Sequence, residues 1–314
     1  MRRLFSIVAL LLFACGVHAQ DAGVMHPYPE TPGVETPAPR GYKPFYLSHL
    51  GRHGSRYLSN EKIVLPALTA LREGDGQDVL TRDGRLLLER VEELYAASNG
   101  MWGQLSALGA EEHKHIAGRM VKRCPSVFVD SVRVVASIYP RCIVSMAAST
   151  GEIQRLAPKT KWSFTAGNRY QSIINTRHRP STWVPGASIQ RRYLEERLDM
   201  EPLLSRIFTD GGKGRDIVGK PVAFFKSVYA VWSDYEAIGL EPFDLTTILG
   251  ADAVKILTAS DNISHYRNMA IPNIDSLIVD IVSRADVALA GQKPSADLRY
   301  THDNGLMRLF VQIG

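Results

Sequence analysis

Two arginines stand around a histidine in Leu47-Ser48-His49-Leu50-Gly51-Arg52-His53-Gly54-Ser55-Arg56-Tyr57, at the end of an apolar run. Guanidinium groups on both sides of His53 disfavour its protonation, so one ring nitrogen stays free to attack an electrophile. The same groups neutralise the oxygens of an anionic phosphorus. Together they outline a phosphoryl-transfer site. Gly51 and Gly54 bracket the pair, and glycine after a strand lets backbone come close to a ligand. The plainer alternative is a core strand over 45–50 followed by a solvated basic loop, and for any one of these residues alone that alternative would win.

Two further polar groups fall where strands are expected to end. Arg141 lies just past Pro140, after a β-rich run over 131–138 that carries Val132, Val134, Val135 and Ile138. His302-Asp303 follows a short expected strand over 297–301. Open α/β sheets put their chemistry at strand ends. Gathered round one crevice, the three pieces supply a nucleophile, three guanidinium groups, a second imidazole and a carboxyl group.

The elements that must position them read as an α/β protein. At 314 residues, length allows one large domain or two smaller ones. Residues 20–44 are rich in proline and form an extended arm. Helical spacing follows over 60–71, over 82–99 and from about 110 to 123, and returns over 142–156. Between 160 and 290, loops alternate with helices expected over 191–208, 222–238, 246–257 and 274–290. The expected layout is an open sheet flanked by helices, built from 45–157 and 291–314, with a mainly helical cap inserted over 158–290. His113 and His115 sit on an amphipathic segment and read as exposed helix residues. Gly211-Gly212-Lys213-Gly214-Arg215 lacks Walker spacing and reads as a surface turn.

Residues 1–19 read as an export signal, with Arg2 and Arg3 ahead of an apolar stretch too short for a comfortable span. Cleavage after Ala19 gives a soluble periplasmic or extracellular protein. The alternative is lipid anchoring through Cys15, in a box spoiled by Phe13. Cys124 and Cys142 then remain, either as a pair or as two small buried hydrophobes, and carry no assigned function. There is no CxxC and no HExxH, so no metal or other cofactor is expected.

The formal net charge is +5. Basic residues concentrate after residue 151 and would draw in a polyanion. No nucleic-acid module is recognisable, and a small phosphorylated substrate suits the arginine pocket better. Oligomeric state is open.

The chain resembles the histidine acid phosphatase branch of the histidine phosphatase superfamily, and leans towards the multiple inositol polyphosphate phosphatases. Arg52-His53-Gly54-Ser55-Arg56 matches the RHGxRxP signature, with Leu58 where the proline stands. Gly103-Gln104-Leu105-Ser106-Ala107-Leu108-Gly109 resembles the G-x-L-T-x-x-G segment. Ser137 to Met146 is similar to the later arginine segment, and His302-Asp303 takes the place of the HD motif, where inositol polyphosphate phosphatases commonly carry His-Ala-Glu.

The resemblance implies a phosphomonoesterase acting through a phosphohistidine. His53 attacks, Asp303 supplies a proton to the leaving group, and Arg52, Arg56, Arg141 and His302 hold the phosphate oxygens. It also implies that the inserted helices cap the pocket, with Lys159, Lys161, Arg177, His178 and Arg179 as the expected contacts to distal phosphates. Phytate or another inositol polyphosphate is the expected substrate class. A broad acid phosphatase on sugar phosphates or nucleotides, and an exported protein that binds phosphate without turnover, are the alternatives. Members of the family usually continue past the HD motif, so the ending at Gly314 reads as a shortened core or a fragment.

Overall fold

Short runs of β-branched and apolar residues, each bounded by proline or polar turns, become the strands of a single sheet. The computed structural model describes residues 25–28, 36–174, 186–269 and 275–313. Its strands are β1 (Leu47–Arg52), β2 (Ser131–Ala136), β3 (Lys161–Thr165) and β4 (Ala296–Thr301). They run parallel in the order β1-β4-β2-β3. The helices, in chain order, are α1 (Leu65–Gly76), α2 (Arg82–Ala97), α3 (Ala107–Arg123), α4 (Pro140–Leu156), α5 (Gln171–Ile174), α6 (Gly186–Arg197) and α7 (Met200–Ile207). They continue with α8 (Gly211–Val218), α9 (Pro221–Asp234), α10 (Leu245–Leu249), α11 (Ala251–Met269), α12 (Asp275–Leu289) and α13 (Asp303–Ile313).

Side chains alternate across a strand, so each sheet face takes every second residue. Val132, Val134, Ala136, Ala296, Leu298 and Tyr300 pack with Ala117 of α3 and Met146 and Ile153 of α4 in an apolar layer. The opposite face is polar. Arg133 Nη1 donates to Asp297 Oδ1 at 2.7 Å, and Arg133 and Arg299 both reach Asp280 of α12, at 3.2 and 2.7 Å. Arg299 Nη1 also donates to Ser48 of β1 at 3.0 Å, so α12 is fastened to the sheet by charge.

The second core is helical. Leu58, Val64 and Leu68, then Leu87, Val91 and Leu94, pack with residues from Leu194 to Leu257. Two boundaries therefore differ from the sequence reading. Helices α1 and α2, read as part of the α/β core, belong to this helical layer. Conversely β3, α5 and α12, read as part of the cap, line the sheet, and β3 pairs with β2 from Ser131↔Lys161 to Val135↔Thr165.

Helix starts follow their local chemistry. Thr81, Ser106, Asp210 and Asp244 accept backbone N–H groups at the first turns of α2, α3, α8 and α10, and proline sits in the first turn of α4 and α9. The Asp210 cap converts the glycine run at 211–215 into α8 rather than a turn, and Gly214 presses on the Phe208 ring, where an added Cβ would lie 2.7 Å away. The helix expected over 191–208 is broken, with α6 ending at Arg197 and α7 starting at Met200. Among the described residues, no helix is long and apolar enough to cross a membrane. Residues 1–19, read as an export signal, with Cys15, and residues 20–24 and 29–35 of the proline-rich arm lie outside the described residues.

Candidate active site

All four strands point the same way, so the C-terminal ends of β1, β4 and β2 deliver Arg52-His53, His302-Asp303 and Ser137 to one edge. Arg141 follows from the first turn of α4. His53 N–H donates to the Thr301 carbonyl at 2.9 Å and Ser137 N–H to the Tyr300 carbonyl at 2.9 Å, which extends the ladder into the site.

The turn after β1 is held by close backbone approach. A Cβ on Gly54 would lie 2.3 Å from the Gly109 carbonyl oxygen, and one on Gly109 would lie 2.1 Å from that of Ser55. These two glycines need each other to lack side chains. Ser55 N–H and Oγ–H both donate to Glu112 of α3, at 2.7 Å each, and Gly54 N–H donates to Ser145 Oγ of α4 at 3.1 Å. The backbone donors at 54 and 55 are thereby used up, and binding of an anion falls to side chains.

His53 is 4% exposed. Its Nδ1 lies 2.8 Å from the Gly54 carbonyl. A carbonyl only accepts, so Nδ1 carries the proton and Nε2 keeps its lone pair. Burial, then Arg52, Arg56 and Arg141, hold its pKa well below the usual histidine value, against a smaller opposing effect of the Gly54 bond. The imidazole is a neutral base with a fixed tautomer.

Arg56 and Arg141 make no ion pair with a carboxylate among the described residues. Arg56 Nη1 donates to the Tyr57 carbonyl at 2.8 Å, while Nε of both arginines is buried without a hydrogen-bond partner. Arg141 lies over the Tyr139 ring, 4.9 Å from its centroid, and its Nη2 is 3.3 Å from His302 Nδ1. An arginine only donates, so His302 Nδ1 accepts and its Nε2–H faces Ser137 Oγ at 3.1 Å. In this arrangement His302 orients Arg141, where the resemblance had it donating to phosphate. Its ring meets that of His53 edge-on at 5.5 Å. Asp303 opens α13, takes Asn304 N–H on Oδ1 at 2.8 Å, and acts as a charge on Arg56.

The two cysteines are unpaired. Cys142 is buried with Sγ 3.7 Å from His302 Nε2, and burial pushes its thiol up to about 12, so it is an inert neighbour. A cavity of about 370 Å³ runs along Arg52, His53 and Arg56, and its other wall is Met25, His26 and Tyr28. Tyr28 N–H donates to Glu112 Oε1 at 2.8 Å, its ring lies under Arg119, and His26 is 4.0 Å from Glu236.

Lys159 and Lys161 are not brought to the site. Lys161 opens β3 opposite Ser131, at the N-terminal edge of the sheet, and Lys159 lies just ahead of it. Arg177, His178 and Arg179 lie outside the described residues. His113 is buried rather than exposed, under the Tyr300 ring at 5.6 Å, and its ring bonds the Arg52 backbone. His115 is exposed as expected.

A multiple inositol polyphosphate phosphatase from Bifidobacterium longum, in complex with inositol hexasulfate, aligns with a TM-score of 0.72 at 15% identity, covering 92% of this chain and 79% of that one. The same protein with phosphate gives 0.69 at 16%, covering 92% and 78%. The phytase from D. castellii gives 0.64 at 12%, covering 94% and 68%. The chain has the histidine phosphatase-like fold. No protein-family model and no curated protein matches it in sequence. Within the histidine phosphatase-like fold, Glu112, Ser145, Tyr139 and Asp234 support the site and escaped sequence reasoning. Ser145 had a usable signal, since it follows Arg141 by four residues and so shares its helix face.

Proposed function

We propose that this protein hydrolyses phosphate monoesters through a phosphohistidine on His53. The observation that carries the reading is a buried neutral imidazole with a free Nε2 beside Arg56 and Arg141, neither of which makes an ion pair with a carboxylate among the described residues. Ester hydrolysis is slow because the phosphate oxygens repel the nucleophile, and fixed guanidinium groups remove that repulsion. His53 Nε2 forms the bond to phosphorus as the ester P–O bond breaks. Asp303, in its protonated form, gives its proton to the departing alkoxide. A water then attacks phosphorus, loses a proton to the Asp303 carboxylate, and releases inorganic phosphate and neutral His53.

The substrate class we propose is a small polyphosphorylated molecule of the inositol polyphosphate kind. Support comes from a second cavity of about 430 Å³ that shares Arg56 and Met25 with the first and is lined by Lys62 and Lys226. A neighbouring anionic group on the same substrate would meet Lys62 there and compete with Asp261 for Lys226.

Asp303→Asn tests the mechanism. Loss of the general acid is expected to slow phosphate release from phytate or a sugar phosphate by about 10²- to 10⁴-fold, and from an aryl phosphate far less, because that leaving group needs no proton. Equal losses on both substrates would remove Asp303 from the role of acid. Phosphate binding without release from phytate, sugar phosphate or aryl phosphate between acidic and neutral pH would leave a binding protein.

A further inference from the structure

Asp234, the last residue of α9, is a lone carboxyl group in the helical core and has no exposed surface. Its Oδ2 accepts Leu58 N–H at 2.9 Å, two residues past Arg56. Its Oδ1 is buried and accepts no hydrogen bond among the described residues. The charged groups that act on it are Arg56 and Arg52. Other charges around α9 are engaged elsewhere: Lys226 with Asp261 of α11, Glu236 with His26, and Glu93 and Arg90 of α2 with Tyr235. Arg141 and Asp303 reach it only through their effect on Arg56.

Tying down a backbone N–H does not need a charge. Two turns earlier on the same helix, Ser227 Oγ accepts Ala67 N–H at 3.2 Å with a neutral hydroxyl. A carboxyl group at 234 costs desolvation that a serine would avoid, so its acidity calls for a separate explanation. The neighbouring arginine supplies one.

We infer that Asp234 is a positioning residue of the phosphate cradle, fixing the chain just beyond Arg56 and setting by its own charge how strongly Arg56 holds an anion. The inference rests on the proposed reading of Arg56 as a phosphate ligand. Burial first, opposed by Arg56, the Leu58 N–H and Arg52, pushes the Asp234 carboxyl up to about 7. Below that pH it is neutral and the positive charge of Arg56 is undivided. Above it the carboxylate competes with the bound anion for the same guanidinium group.

Inorganic sulfate is a clean probe, since its charge is constant across this range. Calorimetric titration of sulfate into the parent protein at pH 5.5 and 8.5 is expected to show binding weaker by about ten-fold at the higher pH. Asp234→Asn keeps an oxygen for Leu58 and removes the charge, so its affinity should change much less between the two pH values. Asp234→Ala also releases Leu58 and should bind sulfate more weakly than the Asn variant at both. Thermal melts confirm that each variant is folded. An Asn variant that follows the parent's pH dependence overturns the charge role, and an Ala variant equal to Asn overturns the anchoring role. If the folded parent binds neither sulfate nor phosphate at any pH, the cradle reading itself fails, whatever Asp234 does.

Discussion

Arg133 and Arg299 rise from the middle of β2 and β4 and meet Asp280 and Asp297, whereas Arg52, Arg56 and Arg141 stand at the strand ends, and Arg56 and Arg141 make no ion pair with a carboxylate among the described residues. Both clusters are at least partly buried, so desolvation weighs on each. The first is neutralised inside the protein and acts as a fastener. The second is opposed only in part, by Asp234 and Asp303 acting on Arg56, which favours the folded state less and an arriving anion more. Composition alone does not separate the two uses of arginine; the carboxylates supplied by α12 and β4 do.

Asp280→Ala breaks the comparison most severely, because it takes the carboxylate partner from the buried Arg299 and one of two from Arg133. Loss of one partner of a buried pair is expected to cost about 3–5 kcal/mol, read as the change in unfolding free energy by urea titration at neutral pH. A variant as stable as its parent would mean that the network compensates no charge. Arg141→Ala inverts the experiment. Its kcat/KM should fall by about 10²- to 10³-fold, while its melting temperature holds or rises as the repulsion of Arg56 by Arg141 is relieved. Arg141→Lys should recover little of that rate, since lysine cannot copy the planar fork. If melting temperature collapses instead, Arg141 is a fastener after all.

The smallest effect concerns acid stability near the open cluster. His49 and His113 both lie against Tyr300 and are held to about 4, both by burial first, His49 further by His113 and Arg299. Their folded form is neutral, whereas in the unfolded chain they protonate near 6.5. Stability is therefore complete above that value and declines as pH drops towards 4, by up to about 3 kcal/mol from His49. Urea titrations at pH 7.5 and 4.5 measure the decline, and His49→Gln should reduce it. A parent equally stable at both values would contradict the burial of a neutral pair.

Motifs whose meaning is local were legible in the sequence. The β-branched run of β2, the helical period of α2, and the Arg-His-Gly turn each declare themselves within a dozen residues. What stayed hidden depends on partners distant in the chain. β3 is an edge strand, with Lys161, Ser163 and Phe164 exposed, and shows no clean alternation. His113 is covered by Tyr300, nearly two hundred residues further on, so its own helix pattern could not reveal the burial. Asp234 sits among aromatic residues of α9, and only the fold brings Leu58 to it. Lys159 and Lys161 show the converse error, since basic side chains near a motif in sequence were carried to the wrong end of the sheet by the direction of β3.

The strand order has a consequence for how the molecule comes into being. β4 lies between β1 and β2, although β1 and β2 are separated from it by some two hundred and forty and one hundred and sixty residues of chain. Until that late segment slides into the gap, the two earlier strands share no edge and Arg52 and Arg141 have no common neighbour. Such long-range closure is slow. The proposed site should thus be assembled in one late step, making anion binding there a reporter of the moment the sheet becomes whole.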